Sequence, residues 1–356
     1  MKAQPGAAPA PAPERHRAAS GKSMDIVYVS NENYAQHLAV SLCSLFDSNA
    51  DEEALGAWVL STGITEPTKE KLSRTAAAFG RELHILELGD LASRFGGTLD
   101  TGRFDVSTMG RLFAGDLLPE TVERVIYLDC DTVVLKPLSK LWKMDLHGAV
   151  LGAAQEPTIY REVKEYLGLR PEEPYFNAGV LVMDLKAWRA EGLRDKVLSY
   201  YGSIARVSLF NDQDALNGCL KGRIRTFSPV YNFFTNYRYF RYGTLTAMQA
   251  SYRTVPERVF RYAKRRPAVI HFAGDERPWK RGSLNVYGKA YTEYLRMTPF
   301  RDAPKEKGQE LYLLLYHGMD LVTFFFPAVR ATVSRRYVEK SIRERAERQK
   351  AAEEKQ

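Results

Sequence analysis

A chain of 356 residues, 45% hydrophobic and 26% charged, has the proportions of a globular protein and enough length to bury one large core or two smaller ones. Lys and Arg outnumber Asp and Glu by 51 to 43, a surplus that suits a phosphate-bearing ligand, anionic lipid or nucleic acid without choosing among them. Cys43, Cys130 and Cys219 lie far apart without metal-ligand spacing, which argues against a disulfide framework or zinc site and fits a reducing compartment.

In chain order, residues 1–23 are rich in Ala and Pro and lack an apolar core region, so they read as a disordered tail and not as a signal peptide. Residues 25–30 form an apolar run suited to a buried parallel strand, which breaks into the polar turn Asn31-Glu32-Asn33. Tyr34, Leu38, Leu42, Leu45 and Phe46 then recur at helical spacing. A polar loop at the carboxyl end of a first strand is where open α/β sheets bind ligands, although Asn31 and Asn33 could equally cap the helix. A strand at 57–60, a helix at 66–79 and a strand at 83–86 continue the alternation, which predicts a parallel sheet with right-handed crossovers. No Gly-x-Gly-x-x-Gly follows the first strand and no phosphate-binding Gly-x-x-x-x-Gly-Lys-Ser/Thr occurs, so dinucleotide and P-loop readings are weak.

Residues 107–113 read as a helical turn carrying Arg111, a side chain built to bridge carboxylate and phosphate. The apolar run 124–128 leads straight into Asp129-Cys130-Asp131. Period-2 alternation aims Asp129 and Asp131 to one side and Cys130 to the other. Two hard anionic donors at one point call for a cation, Mg or Mn before Zn, unless one Asp is a cap and the other a solvated charge. A short helix at 138–142 and a strand at 150–154 follow, then Gln155-Glu156-Pro157. Small residues in Asn177-Ala178-Gly179 precede another strand; they permit close approach of a ligand to backbone, or plain tight packing. Residues 211–218 look like a capped helix start, but an ordinary cap does not account for Asn211, Asp212, Gln213 and Asp214 together. Residues 231–266 are aromatic and basic with weak periodicity, a surface suited to nucleic acid or to sugars. A strand at 267–272 ends near His271. Residues 311–316 and 321–329 are strongly apolar, but His317, Gly318, Asp320 and Pro327 interrupt them and disfavour a spanning helix. From residue 330 onward, nine Lys or Arg face five Glu in a helix-prone tail. Apolar then basic order suits a helix lying on an anionic bilayer, or one packed on the domain and followed by a solvated tail.

Five stretches in this order, Asn-x-Asn-Tyr after the first strand, Tyr-Leu-Asp-Cys-Asp, Tyr-Phe-Asn-Ala-Gly-Val, Asn-Asp-Gln-Asp-x-Leu-Asn and His-Phe-x-Gly-x-x-x-Pro-Trp, make residues 24 to about 294 resemble glycosyltransferase family 8. This family comprises retaining nucleotide-sugar transferases, among them bacterial lipopolysaccharide galactosyl- and glucosyltransferases and glycogenin. The resemblance implies a GT-A fold: a Rossmann-like α/β architecture with a mixed, mainly parallel central sheet and C-terminal helices. It divides the chain into a GT-A domain at 24–300, with a nucleotide-binding half at 24–135 and an acceptor half at 136–300, and a C-terminal segment at 301–356. It implies that Asp129, Asp131 and His271 hold Mn²⁺ (or Mg²⁺) against the diphosphate of a UDP-sugar. Val29, Asn31 and Asn33 would hold uracil and ribose, and Arg111 would contact the donor sugar region and orient Asp129. Cys130, Gly274 and Arg277 complete the donor-binding set, Asn177 and Ala178 line the sugar, and Asp212 and Gln213 are the catalytic candidates. Glu156 stands on the acceptor side.

The implied activity moves glucose or galactose from its UDP conjugate to a glycan or glycolipid at the cytoplasmic face of the cell membrane, with retention by same-face attack or double displacement. No nucleic-acid partner is expected, and the alternative is a catalytically silent nucleotide-sugar-binding or membrane-surface protein. Two departures bear on donor contacts: Arg277 stands where Lys is common, and Asn31 where an acidic residue is usual. The geometric requirement is that His271 lie within coordinating reach of both carboxylates.

Overall fold

The computed structural model describes residues 23–89 and 106–326, with individual positions between 329 and 347. The Ala- and Pro-rich residues 1–22 and most of the basic tail lie outside the described residues. Strands β1 (Met24–Ser30), β2 (Leu55–Ser61), β3 (Leu83–Glu87), β4 (Arg124–Leu128), β6 (Leu151–Gln155), β7 (Phe176–Asp184) and β8 (Ile224–Thr226) form one sheet in the order β3-β2-β1-β4-β7-β6-β8. The pairs β1–β2, β2–β3, β1–β4 and β6–β8 are parallel, while β7 runs antiparallel to both β4 and β6. The sheet is therefore mixed and mainly parallel, as expected. The chain travels outward from β1 to β3 and then returns to the other side of β1 as β4. That reversal makes the carboxyl ends of β1 and β4 the topological switch point of the sheet, where ligands bind in open α/β folds.

Helices on both faces explain why every residue of β1 is buried. Alternation assigns Val27, Val29, Val125 and Tyr127 to the core on one face. Ile26, Tyr28, Ile126 and Leu128 go to the other, where they meet Leu38, Leu42, Leu45 and Phe46 of α1 (Ala35–Ser48) and Leu72 of α2 (Glu66–Ala77). A second, smaller sheet joins β5 (Thr132–Val134), β10 (Val269–His271) and β9 (Phe233–Phe234), with β10 antiparallel to β5. Ser44 of α1 accepts a hydrogen bond from Val134 N (2.9 Å), so the helix fastens the free edge of β5.

Three sequence expectations need correction. First, Asp129 and Asp131 do not share one strand: β4 stops at Leu128, β5 begins at Thr132, and the chain turns between the two sheets at Cys130. The carboxylates meet at this corner, which Thr132 Oγ1 closes by donating to Asp129 O (2.8 Å), and not through the pleat. Second, the aromatic residues of 231–266 are largely interior. Phe233, Tyr237, Phe240, Tyr252 and Phe260 form a core of their own among 3-10 turns and helices of seven to nine residues. Their weak periodicity reflects short elements.

Third, the apolar C-terminal stretch is one helix, α5 (Glu310–Phe325), and it is inside out. Leu311, Leu315 and Leu321 are 71%, 66% and 64% exposed, while Asp320 and Thr323 are buried at 2%. Among the described residues, no helix is long and apolar enough to cross a membrane.

Candidate active site

The first determinant of the site is strand register. Pairing of β10 with β5 sets His271 opposite Thr132 and brings its imidazole to the Asp-Cys-Asp corner. His271 Nε2 lies 3.2 Å from Asp131 Oδ1 and 3.6 Å from Asp129 Oδ2, so the required proximity is met. One ligand atom from each of the three lies within 4.8 Å of the others. His271 Nδ1 is 3.0 Å from Asn232 Oδ1, an acceptor that places the ring proton on Nδ1 and turns the Nε2 lone pair toward the carboxylates. Burial works against charge on His271, but Asp131 and Asp129 outweigh it and hold the imidazole above its ordinary range. Asp131 is displaced the other way: burial would raise it, and His271 holds it below the usual carboxylate range. Two carboxylates and an imidazole in this arrangement fit a divalent cation such as Mn²⁺.

Gly179 makes that approach possible. A Cβ there would lie 2.1 Å from His271 Cε1 and 2.9 Å from Asp129 Oδ2, so any side chain would collide with the cluster. Asp129 N donates to Gly179 O (2.8 Å), which fixes the corner against β7. The small residues expected to precede the strand lie within β7, and Gly179 answers to a close approach, with protein atoms as the approaching group.

Arg111 stands at the end of the 3-10 helix Val106–Phe113, 4% exposed. Its Nη2 is 3.1 Å from Asp129 Oδ1, its Nε is 2.8 Å from Asp212 Oδ2, and its Nη1 donates to Ala178 O. One guanidinium therefore ties the metal-ligand candidate Asp129 to the catalytic candidate Asp212, and Tyr127 Oη adds a donor to Asp129 (2.7 Å). Burial pushes the Asp212 carboxyl up to about 6 against the pull of Arg111.

The polar cluster at the start of α3 (Asn211–Cys219) divides by role. Asp212 and Gln213 face the cavity. Asp214 accepts from the hydroxyls of Tyr166, Tyr175 and Ser208 and from the amides of Leu209 and Phe210, a structural anchor. Gln213 Oε1 accepts from Ala178 N (2.9 Å) and its Nε2 donates to Tyr175 Oη (3.1 Å). Glu156, half-buried and held above the ordinary glutamate range by desolvation, accepts from Asn177 Nδ2 (2.7 Å). Asn177 Oδ1 in turn accepts from Asn232 Nδ2 (2.8 Å), so a continuous chain of hydrogen bonds runs from His271 through Asn232 and Asn177 to Glu156. Asn232 is the member that sequence reasoning missed; it lies in the aromatic stretch, and no motif marks it.

Arg111, Asp129, Asp131, Glu156, Asn177, Asp212, Gln213 and His271 line a cavity of about 470 Å³ together with Val29, Tyr34, Cys130, Ala178, Gly274 and Arg277. Arg277 donates to Tyr34 Oη (2.7 Å) and reaches to 4.0 Å from Asp131 Oδ2, which places a planar cation beside the metal-ligand candidates. Cys130 turns its thiol away, donating to Val29 O (3.1 Å). Asn31 and Asn33 are not brought to the cavity. Asn31 Oδ1 accepts from Tyr34 N (3.1 Å) as a helix cap, and Asn33 is exposed. The neighbouring Glu32 faces α2, where its carboxylate accepts from Thr65 N (2.9 Å) and Thr68 Oγ1 (2.7 Å).

Residues 25–283 match the family model described as Glycosyl transferase family 8. General stress protein A of Bacillus subtilis is 27% identical over 278 residues, 77% of this chain and 94% of that protein. Lipopolysaccharide 1,2-glucosyltransferase of Escherichia coli is 30% identical over 195 residues, 54% of each chain. Among solved structures, the galactosyltransferase LgtC in complex with donor and acceptor sugar analogues superposes with a TM-score of 0.66 at 28% identity, covering 78% of this chain and 96% of that one.

Proposed function

The chain belongs to glycosyltransferase family 8, and from that premise we propose that it is a retaining hexosyltransferase of GT-A fold that transfers glucose or galactose from a UDP-sugar to a glycan or glycolipid acceptor. The observation that carries this reading is the meeting, in one cavity, of the Asp129, Asp131 and His271 cluster with the Arg111, Asp212 and Gln213 wall. Both named relatives above that carry an activity in their descriptions transfer a hexose, glucose in one and galactose in the other. Residues 24–300 form the transferase domain in this reading, with the donor bound mainly by residues up to 135 and the acceptor met mainly by those beyond.

Asp129, Asp131 and His271 would hold Mn²⁺, which when bound neutralises charge on the departing diphosphate. The protein's own groups do the rest. Val29 and Tyr34 line the nucleotide end, and Gly274, Arg277 and Lys280 line the diphosphate end with two cations. Asp212, fixed by Arg111, and Gln213, fixed by Ala178 N, face the donor sugar, where a carboxylate stabilises positive charge developing at the anomeric carbon. The bond from that carbon to the phosphate oxygen breaks with its electron pair leaving on UDP. The acceptor oxygen forms the new bond on the same face, and its proton passes to the departing phosphate oxygen. Double displacement through Asp212 or Gln213 is the other route to retention. Glu156 and Asn177 shape the acceptor side through their mutual hydrogen bond.

We infer in addition that the outward apolar face of α5 and the basic residues after it seat the enzyme on the cytoplasmic face of an anionic membrane. Replacing Leu311 and Leu315 by Gln is expected to weaken co-sedimentation with phosphatidylglycerol vesicles, and undiminished binding would contradict that reading. For the activity itself, purified protein with Mn²⁺ should release UDP from UDP-glucose or UDP-galactose in the presence of a glycan acceptor panel. The pair Asp129→Asn and Asp131→Asn should abolish release. Absence of release from any UDP-hexose would overturn the reading and leave a nucleotide-sugar-binding partner in its place.

A further inference from the structure

The loop between β10 and α4 (Gly288–Arg296) supplies Ala273, Gly274, Asp275, Arg277 and Lys280 to the cavity. Its cations must meet the diphosphate in a fixed place, and its backbone is tied by Glu306 N to Trp279 O (2.9 Å), Arg281 N to Glu306 O (2.8 Å) and Asn285 Nδ2 to Glu276 O (2.8 Å). Further polar anchors, to the side chains of 275 and 276 and the amide of 284, come from α5. His317 Nδ1 lies 2.6 Å from Glu276 Oε1, and Leu284 N donates to His317 Nε2 (3.0 Å). Because the Leu284 amide engages the Nε2 lone pair, the ring proton sits on Nδ1 and is given to the Glu276 carboxylate. One imidazole therefore closes the loop at two points, 276 and 284, on either side of Arg277 and Lys280. Burial also holds His317 below its ordinary range, in keeping with a neutral ring. Tyr312 donates from Oη to Asp275 Oδ2 (3.0 Å), and Tyr239 donates to Glu276 Oε1 (3.0 Å) from the opposite side.

Glu276, His317 and Asp320 also present ligand atoms within 4.8 Å of one another, the second such trio among the described residues. Both nitrogens of His317 are already engaged by the loop, which makes the trio a staple and not a cation site. The polar inner face of α5 thereby acquires a purpose: it faces inward because the groups it must hold are there.

We propose that α5 is a working part of the donor site and that His317 and Tyr312 are positioning residues, holding the 273–285 loop so that Arg277 and Lys280 face the donor diphosphate. This rests on the UDP-sugar reading, and the test separates the two. In the full chain, His317→Ala combined with Tyr312→Phe is compared with the parent, with His317→Gln, and with Leu311→Gln combined with Leu315→Gln on the outer face of the same helix. Two quantities are read: hydrogen exchange of peptides spanning 273–285 without ligand, and KM for UDP-galactose and UDP-glucose beside KM for the acceptor.

The His317→Ala, Tyr312→Phe variant should exchange faster in that loop while β1 and β4 keep their protection. Its donor KM should rise about tenfold, the scale of one lost hydrogen bond to a charged group, with acceptor KM unchanged. His317→Gln, which can donate to Glu276 and accept from Leu284, should recover part of the loss, and the outer-face variant should leave loop exchange and donor KM unchanged. Unchanged loop exchange, exchange raised equally throughout the molecule, or faster loop exchange with unaltered donor KM would each overturn the proposal. Failure of the UDP-sugar reading shows separately, as absence of turnover in the parent protein; the exchange comparison still decides whether α5 holds the loop.

Discussion

Gly179 and His271 illustrate how much of this site depends on single atoms. Adding one methyl at position 179 forces it into the space of the imidazole, which is backed by Asn232 and Phe234 and cannot retreat freely. Gly179→Ala is expected to weaken Mn²⁺ binding at least a hundredfold in a titration followed by electron paramagnetic resonance, with the far-ultraviolet spectrum preserved; unchanged affinity would refute the packing argument. Asp212 gives a second prediction. Its carboxyl is held near 6, above the ordinary aspartate range, so it gains its negative charge only as pH rises through that value. If the anion stabilises the transition state, kcat/KM for donor should climb through about pH 6 and flatten above it, and Asp212→Asn should lower the plateau and erase that limb. At this scale the sequence was legible where chemistry is unusual, as in Asp129, Asp131, Asp212 and Gln213. At Asn31 it left two readings open, because a polar residue after a strand looks the same whether it caps a helix or contacts a nucleotide; in the structure Asn31 caps the helix. Asn232 was invisible because a positioning amide leaves no spacing to find.

Elements were legible in proportion to their length. β1, α1 and β4 are long enough for their periodicity to register, and their predicted spans agree with the structure to within a residue or two. The corner at Cys130 was hidden because strand alternation was carried past Leu128 through Asp129 and Asp131, so the residues of a turn read as a continuation of the strand. The segment 231–266 failed for the opposite reason: 3-10 turns and helices of at most nine residues give at most two full periods before the chain changes direction, and only their tertiary packing shows which aromatics are interior. That packing predicts its own cost. Phe260 is 2% exposed in the aromatic core, so Phe260→Ala should destabilise the protein by about 3 kcal/mol in denaturant unfolding. A change under about 1 kcal/mol, the size of a typical surface substitution, would mean that this lobe does not fold as part of the same cooperative unit.

For the whole molecule, a mainly parallel α/β sheet was foreseeable from the alternation of strands and helices, its strand order was not, and its switch point coincides with the cavity. The second sheet was not foreseeable, because β9 and β10 are two and three residues long and join β5 only through chain crossings that sequence does not display. Nor was the orientation of α5, since a hydropathy profile registers how apolar a stretch is and not which way it faces.

A helix whose inward side is already satisfied cannot hide its outward leucines by folding further. Leu311, Leu314, Leu315, Leu321, Phe325 and Phe326 are all more than half exposed, and a second molecule offers one way to relieve that contact with water. In buffer without lipid, the elution position on a sizing column is therefore expected to move with loading concentration. A mild non-ionic detergent above its micellar threshold should reduce the population to one species. A sharp monomer at every concentration, detergent or none, would show that this flank is already covered by the chain itself.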